Sequence, residues 1–189
     1  MSPLKYALPL CCLGALAQAD PVTVASCGGT HTYETPPTRA ITLNQQATEV
    51  MLALGLEGSM VGTAYMDDAI PAQWKDAYDS VPVLAEKYPA REIVLAVEPD
   101  FLFAGFGSAF GDKALGAEAD WHDMGVGTYL VDASCKANHP VDTPFTVQPI
   151  LDDISVIGRI FAVEDRAETL IEATTARLDA VQGNPAGAG

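Results

Sequence analysis

The chain has 189 residues, a formal charge of -15 and 49% hydrophobic residues. Acid in that excess excludes nucleic acid and anionic membrane surfaces as electrostatic partners. A chain of this size buries roughly 70% of its unfolded surface, enough for one hydrophobic core.

Residues 1–19 read as a signal peptide. Lys5 supplies the positive end, Tyr6 to Ala17 an apolar run too short to span a bilayer, and Ala17-Gln18-Ala19 the small-x-small pattern before a cut at Asp20. A lipoprotein reading of Cys11 and Cys12 lacks small residues in Leu8-Pro9-Leu10. Cleavage removes Lys5 and no acid, so the exported chain is more acidic still. It retains Cys27 and Cys135. Export permits a disulfide between them; the alternative is two inert buried thiols, because sequence does not show their separation.

Val22–Ala25 and Thr30–Glu34 alternate around Cys27-Gly28-Gly29, which predicts a hairpin over 22–34. After Pro36-Pro37 comes a brief strand, Ile41–Leu43. Asn44 is placed to cap a helix running from Gln45 to Leu54 and closing on Gly55. Val61–Thr63 starts a second β–α step, with a helix expected over Asp68–Ala77. Arg91 opens a short amphipathic helix, Pro99-Asp100 turns, and Phe101–Ala104 is a fully apolar strand. A helix near Asp112–Met124 and a strand at Thr128–Val131 follow. This alternation predicts an α/β lobe over 20–145: a mostly parallel sheet with helices on both faces.

The segment 146–182 reads as helical, first from Pro149 to about Ala162 and again over Glu164–Val181. In the last helix Ala167, Leu170, Ile171, Thr174, Leu178 and Val181 share one face. It is roughly 27 Å long at 1.5 Å per residue. Residues 183–189 read as a flexible tail.

Five segments, in this order, resemble the periplasmic substrate-binding proteins of ABC importers for ferric siderophores, haem and vitamin B12. They are Pro36 to Leu43, Ala47 to Gly55, Met60-Val61-Gly62-Thr63, Arg91 to Ala104, and Ile157-Gly158-Arg159-Ile160-Phe161. The resemblance implies two α/β lobes joined by one long rigid helix, with the ligand between them. Glu164–Val181 matches the joining helix. The family continues into a second lobe, so the resemblance covers an N-terminal lobe and implies a truncated form. It further implies a periplasmic location, an ABC permease in the inner membrane as partner, and an iron chelate, haem or corrinoid as cargo. No catalytic step and no cofactor are implied, although the ligand would itself be a metal complex.

Glu92 matches the family's N-lobe acid that pairs with permease arginines. From the residues alone it reads as a favourable acid in a first helical turn. One exposed ion pair is worth roughly 0.2–1 kcal/mol, so Glu92 alone could not hold a complex. Ligands of open α/β sheets meet the loops at the carboxyl ends of the strands. Here those loops offer Asn44, Gln45, Tyr65, Asp67, Asp68, Lys87, Tyr88, Phe106, Ser108 and Asp132. The mixture is aromatic and acidic, with few of the arginines that strongly anionic chelates want. It favours a neutral or cationic flat ligand stacking on Tyr65, Tyr88 and Phe106; the alternative is that each ring is a packed loop anchor.

The competing reading is a dinucleotide-binding oxidoreductase. Gly105–Gly111 follows an apolar strand, and Asp132 ends the next one, where an acid could meet a ribose hydroxyl. The spacing is Gly-x-Gly-x-x-x-Gly and the motif lies mid-chain, which favours a β–α turn lining a solute pocket. Cys135, His139, His31 and His122 do not have zinc-site spacing. Asp67-Asp68 and Asp152-Asp153 read as caps or dipole partners. Neither Ser134 nor Ser155 has a nucleophile-elbow context, and no catalytic residue is assigned.

Overall fold

The structure, a computed structural model, describes residues 20–27, 29–135 and 146–182. The signal peptide expected at 1–19 and the tail expected at 183–189 lie outside the described residues, as does His139. Strands β1 (Val22–Ser26) and β2 (Gly29–Tyr33) form the antiparallel hairpin. Then come β3 (Ala40–Leu43), α1 (Gln45–Ala53), β4 (Met60–Ala64), α2 (Lys75–Asp79), β5 (Val83–Ala85) and α3 (Arg91–Ala96). The chain continues with β6 (Phe101–Ala104), α4 (Glu118–His122), β7 (Gly127–Leu130), α5 (Gln148–Ile160) and α6 (Glu164–Gln182).

The large sheet runs β5-β4-β3-β6-β7, parallel throughout. Its central strands, β3 and β6, are buried along their whole length, as two short apolar runs require. Alternate side chains go to opposite layers. Phe101 and Phe103 face α1, α5 and α6, packing with Met51, Ile157 and Phe161. Ile41, Leu43 and Leu102 face α3 and α4, packing with Val94 and Trp121. Each large side chain buried this way contributes about 1.5–3 kcal/mol. Trp121 is fully buried, and its indole N–H donates to the Leu115 carbonyl at 3.0 Å.

Two of the segments quoted above clasp each other. The Asp100 carboxylate accepts from the backbone N–H groups of Thr38 and Arg39, both at 2.8 Å. The Arg39 guanidinium in turn donates to the Glu98 and Val97 carbonyls. The turn before β6 is thereby fixed to the start of β3. α5 packs on α6 at Gly158, where an added Cβ would collide with that of Ala167.

The hairpin is tied to the body at several points. Tyr33 donates to the Thr128 carbonyl at 2.5 Å, Arg159 donates to the Thr23 carbonyl at 2.8 Å, and Cys27 is joined to Cys135 by a disulfide with Cα atoms 5.2 Å apart. Tyr33 also packs so closely on Gly127 that a Cβ there would meet the ring at 2.8 Å. Burial pushes the Tyr33 phenol well above its ordinary pKa, so it remains a donor at any working pH.

Three expected elements differ. The helix expected over Asp68–Ala77 is a 3-10 turn at Ala72–Trp74 followed by α2, because Pro71 lacks an N–H and biases Ile70 towards extended backbone. The helix expected near Asp112–Met124 shrinks to α4, because Gly116 adopts φ 77° and interrupts it. Asn44 precedes α1 but makes no side-chain cap bond; its side chain is engaged elsewhere.

Candidate functional site

After β3 the chain leaves towards β4, and after β6 it leaves towards β7 on the other side. The two central strands therefore part at their carboxyl ends, which is where open α/β sheets form a crevice. Asn44 stands at the end of β3, fully buried, with φ 82° and ψ 158°. That backbone region is nearly reserved for glycine and costs a residue with a Cβ about 1–3 kcal/mol. The geometry persists because the side chain is held on two sides. Its Oδ1 accepts from the Phe106 N–H at 3.2 Å, and its Nδ2 donates to the Tyr88 hydroxyl at 3.1 Å. Tyr88 and Ser108 then share a hydroxyl–hydroxyl bond of 2.8 Å. Asn44 thus links the loops after β3, β5 and β6.

Tyr65 ends β4 in the left-handed region, φ 61°, and its ring lies 4.6 Å from that of Tyr88. The Lys87 ammonium stands 4.2 Å over the Tyr65 ring, a cation–π contact. Gln45, at the first turn of α1, accepts the backbone N–H groups of Asp67 and Asp68 through Oε1 at 3.3 and 3.2 Å. The carboxylates of Asp67 and Asp68 are exposed, and Phe106 is 43% exposed. The result is an edge of two phenols in tilted contact, a third ring presented to solvent, fixed amides and hydroxyls, and loosely held acids.

Beneath this edge lies a closed triangle of buried hydroxyls. Thr42, Thr48 and Thr63 lie 2.8–3.0 Å apart pairwise, and Thr48 also donates to the Asn44 carbonyl at 3.1 Å. Sequence reasoning passed over these threonines; the signal for Thr42 and Thr63 was a polar residue within an apolar strand, while Thr48 lies on α1. It also passed over Gln46, whose Nε2 donates to the Gly105 carbonyl at 2.9 Å, and Ser134, which donates to the same carbonyl at 2.6 Å. A Cβ on Gly105 would strike the Gln46 amide at 2.6 Å, so glycine is required for this approach.

Asp132 takes a different place from the ring cluster. It opens the short turn after β7, and its N–H donates to Asp153 on α5 at 3.0 Å. Asp153 is buried and also accepts from the Tyr129 hydroxyl at 2.6 Å. Burial raises its carboxyl from 3.8 to about 6, despite the two hydrogen bonds that pull the other way. A proton therefore binds the folded state more tightly than the unfolded chain. Stability from this group is full below about pH 4 and is lost as pH rises through 6. Asn at 153 keeps the acceptor without the charge. Asp153→Asn should remove about 2–3 kcal/mol of the stability gap between pH 4 and pH 7.5, measured by urea unfolding. An unchanged gap would show that Asp153 titrates normally.

The Gly105–Gly111 loop leads into a 3-10 turn at Gly107–Phe110, and α4 begins only at Glu118. It does not open a helix whose N-terminus could hold a pyrophosphate, which removes the geometric basis of the dinucleotide reading. Among the described residues no group of three or more His, Cys, Asp or Glu could hold a metal ion. Glu92 lies in the first turn of α3, exposed, between Arg91 and the exposed Ile93.

Rings and hydroxyls at the strand ends of an α/β lobe form an edge suited to recognition. The chain belongs to the periplasmic binding protein family, whose profile matches residues 41–184. Members of this family are extracytoplasmic binding proteins. No curated protein matches the sequence. Among solved structures, a periplasmic binding protein from Veillonella parvula is 28% identical, with a TM-score of 0.73 over 87% of this chain and 53% of its own. An ABC-type Fe3+-hydroxamate transport system protein from Saccharomonospora viridis is 25% identical, with a TM-score of 0.67 over 87% of this chain and 57% of its own. The periplasmic haem-binding protein of Vibrio cholerae shares the fold at 23% identity and a TM-score of 0.56, over 77% of this chain and 49% of its own. The chain spans about half the length of these structures.

Proposed function

We propose that the chain is the N-terminal lobe of a periplasmic solute receptor that captures an iron chelate, haem or corrinoid and delivers it to an ABC permease. The observation that carries this reading is the Asn44–Tyr88–Ser108 network with the Tyr65 ring tilted against Tyr88, at the carboxyl ends of β3 and β6. Phe106 supplies a further exposed apolar face. Asp67 and Asp68 lie alongside, and Lys87 is held over Tyr65, so a neutral or cationic flat ligand fits better than a strongly anionic chelate. Residues 1–19 act as the export signal, α6 serves as the joining helix, and a second lobe outside these residues completes the cleft.

The test is a thermal-shift panel on the exported chain with cobalamin, haem, ferric siderophores and nicotinamide cofactors. A ligand at 100 times its Kd adds about 2.7 kcal/mol, a rise of roughly 5–10 °C for a domain of this size. A shift with a nicotinamide cofactor and none with the metal complexes would overturn the reading. Glu92 is proposed as the docking acid. In a full-length receptor Glu92→Arg should abolish uptake while leaving ligand affinity intact, and equal loss of both would remove that role.

A further inference from the structure

His31 and His122 are 91 positions apart in the sequence, and nothing in their spacing joins them. The hairpin brings them together: their ring centroids are 4.6 Å apart, with the planes inclined by 56°. Both rings line a cavity of about 300 Å³, together with Thr30, Thr32 and Gly125. This cavity is separate from the Asn44–Tyr88–Ser108 edge and has no part in the function proposed above.

The hydrogen bonds behind His122 settle its tautomer. The Thr128 hydroxyl donates to Glu118 Oε2 at 2.6 Å, which commits its single proton. Towards His122 that oxygen can only accept, and His122 Nε2 lies 2.7 Å away. The neutral ring therefore carries its proton on Nε2 and leaves a lone pair on Nδ1. A metal-ligating histidine is oriented in this way, one ring N–H bonded to a polar partner and the other nitrogen presented.

We propose that His31 and His122 form a binding site for a divalent transition-metal ion, with Glu118 and Thr128 as positioning residues. Imidazole nitrogens select zinc, nickel or copper over calcium and magnesium. No third His, Cys, Asp or Glu joins the pair among the described residues. Water within the cavity fills the remaining positions, so the ion exchanges readily. It bridges β2 to α4 and fastens the hairpin to the body.

The experiment is calorimetric titration of the full chain with zinc sulfate and nickel sulfate, beside a magnesium sulfate control. Expected are one bound zinc or nickel ion per chain, no magnesium binding, and at least a tenfold weaker Kd in His31→Gln and His122→Gln. Gln at 122 keeps an N–H for Thr128, so that variant should melt as the parent does. Glu118→Gln retains both rings and should weaken zinc by about 10-fold, the usual effect of loosening an outer partner. Histidine NMR adds a readout that a packing role would not move: zinc should perturb His122 Nδ1 and leave Nε2 protonated. No heat with zinc up to 1 mM, or unchanged affinity in both histidine variants, would overturn the site.

Discussion

Asn44→Ala is expected to lower affinity for the ligand identified by the panel by about 100-fold. The change removes the acceptor for the Phe106 N–H and a partner of the Tyr88 hydroxyl. Two lost hydrogen bonds of about 1–1.5 kcal/mol each amount to that factor. Stability should fall as well, since alanine gains no relief at φ 82°. Asn44→Gly separates the two effects. Glycine accepts this backbone without strain, offsetting about 1–3 kcal/mol, yet it still cannot bridge the loops. The glycine variant should therefore unfold near the parental urea concentration and still bind about 100-fold more weakly. Parental affinity in Asn44→Gly would mean that the loops hold their places without the amide.

Reducing the Cys27–Cys135 bridge should have the largest effect on stability. Its sequence separation is 108 residues, and the chain-entropy account assigns about 4–5 kcal/mol to a closed loop of that length. For a domain of this size the loss lowers the melting temperature by roughly 10–15 °C. Calorimetry of the oxidised chain with and without reductant measures it, and the Cys27→Ala/Cys135→Ala double variant should melt where the reduced chain does. Coincident oxidised and reduced melts would show that Tyr33, Arg159 and the core hold the hairpin unaided.

What the sequence disclosed follows from how local each cause is. Phe101–Ala104 and Ile41–Leu43 declare themselves as buried strands because both faces of a central parallel strand are apolar. The helical spacing from Ala167 to Val181 declares α6, although only its first turns pack on the core and Val181 is exposed. β5 went unseen: it is three residues long, lies at the sheet edge, and leaves Val83 55% exposed. Asn44 could be placed at a strand end, but a cap was the obvious use for an Asn before a helix. Its actual partners lie 44 and 62 residues away, and no periodicity reports on them. The same holds for His31 and His122, whose meeting depends on where the hairpin docks. Local pattern locates the edge of the sheet; only the tertiary arrangement decides which side chains converge on it.

The span between Cys27 and Cys135 has a consequence for survival outside the cytoplasm. Every strand of the large sheet lies within it, so the sheet is built from a single covalent ring. A single protease cut in an exposed loop such as Asp67–Ala69 opens the ring without releasing a fragment. The two new ends remain attached through sulfur and through the parallel neighbours on either side. Nicked and intact chains would run together in a gel until reductant is added, and the nicked form would keep its strand ends in place. Two cuts within the ring are needed before any strand of the large sheet can leave, whereas α5 and α6 lie outside the ring.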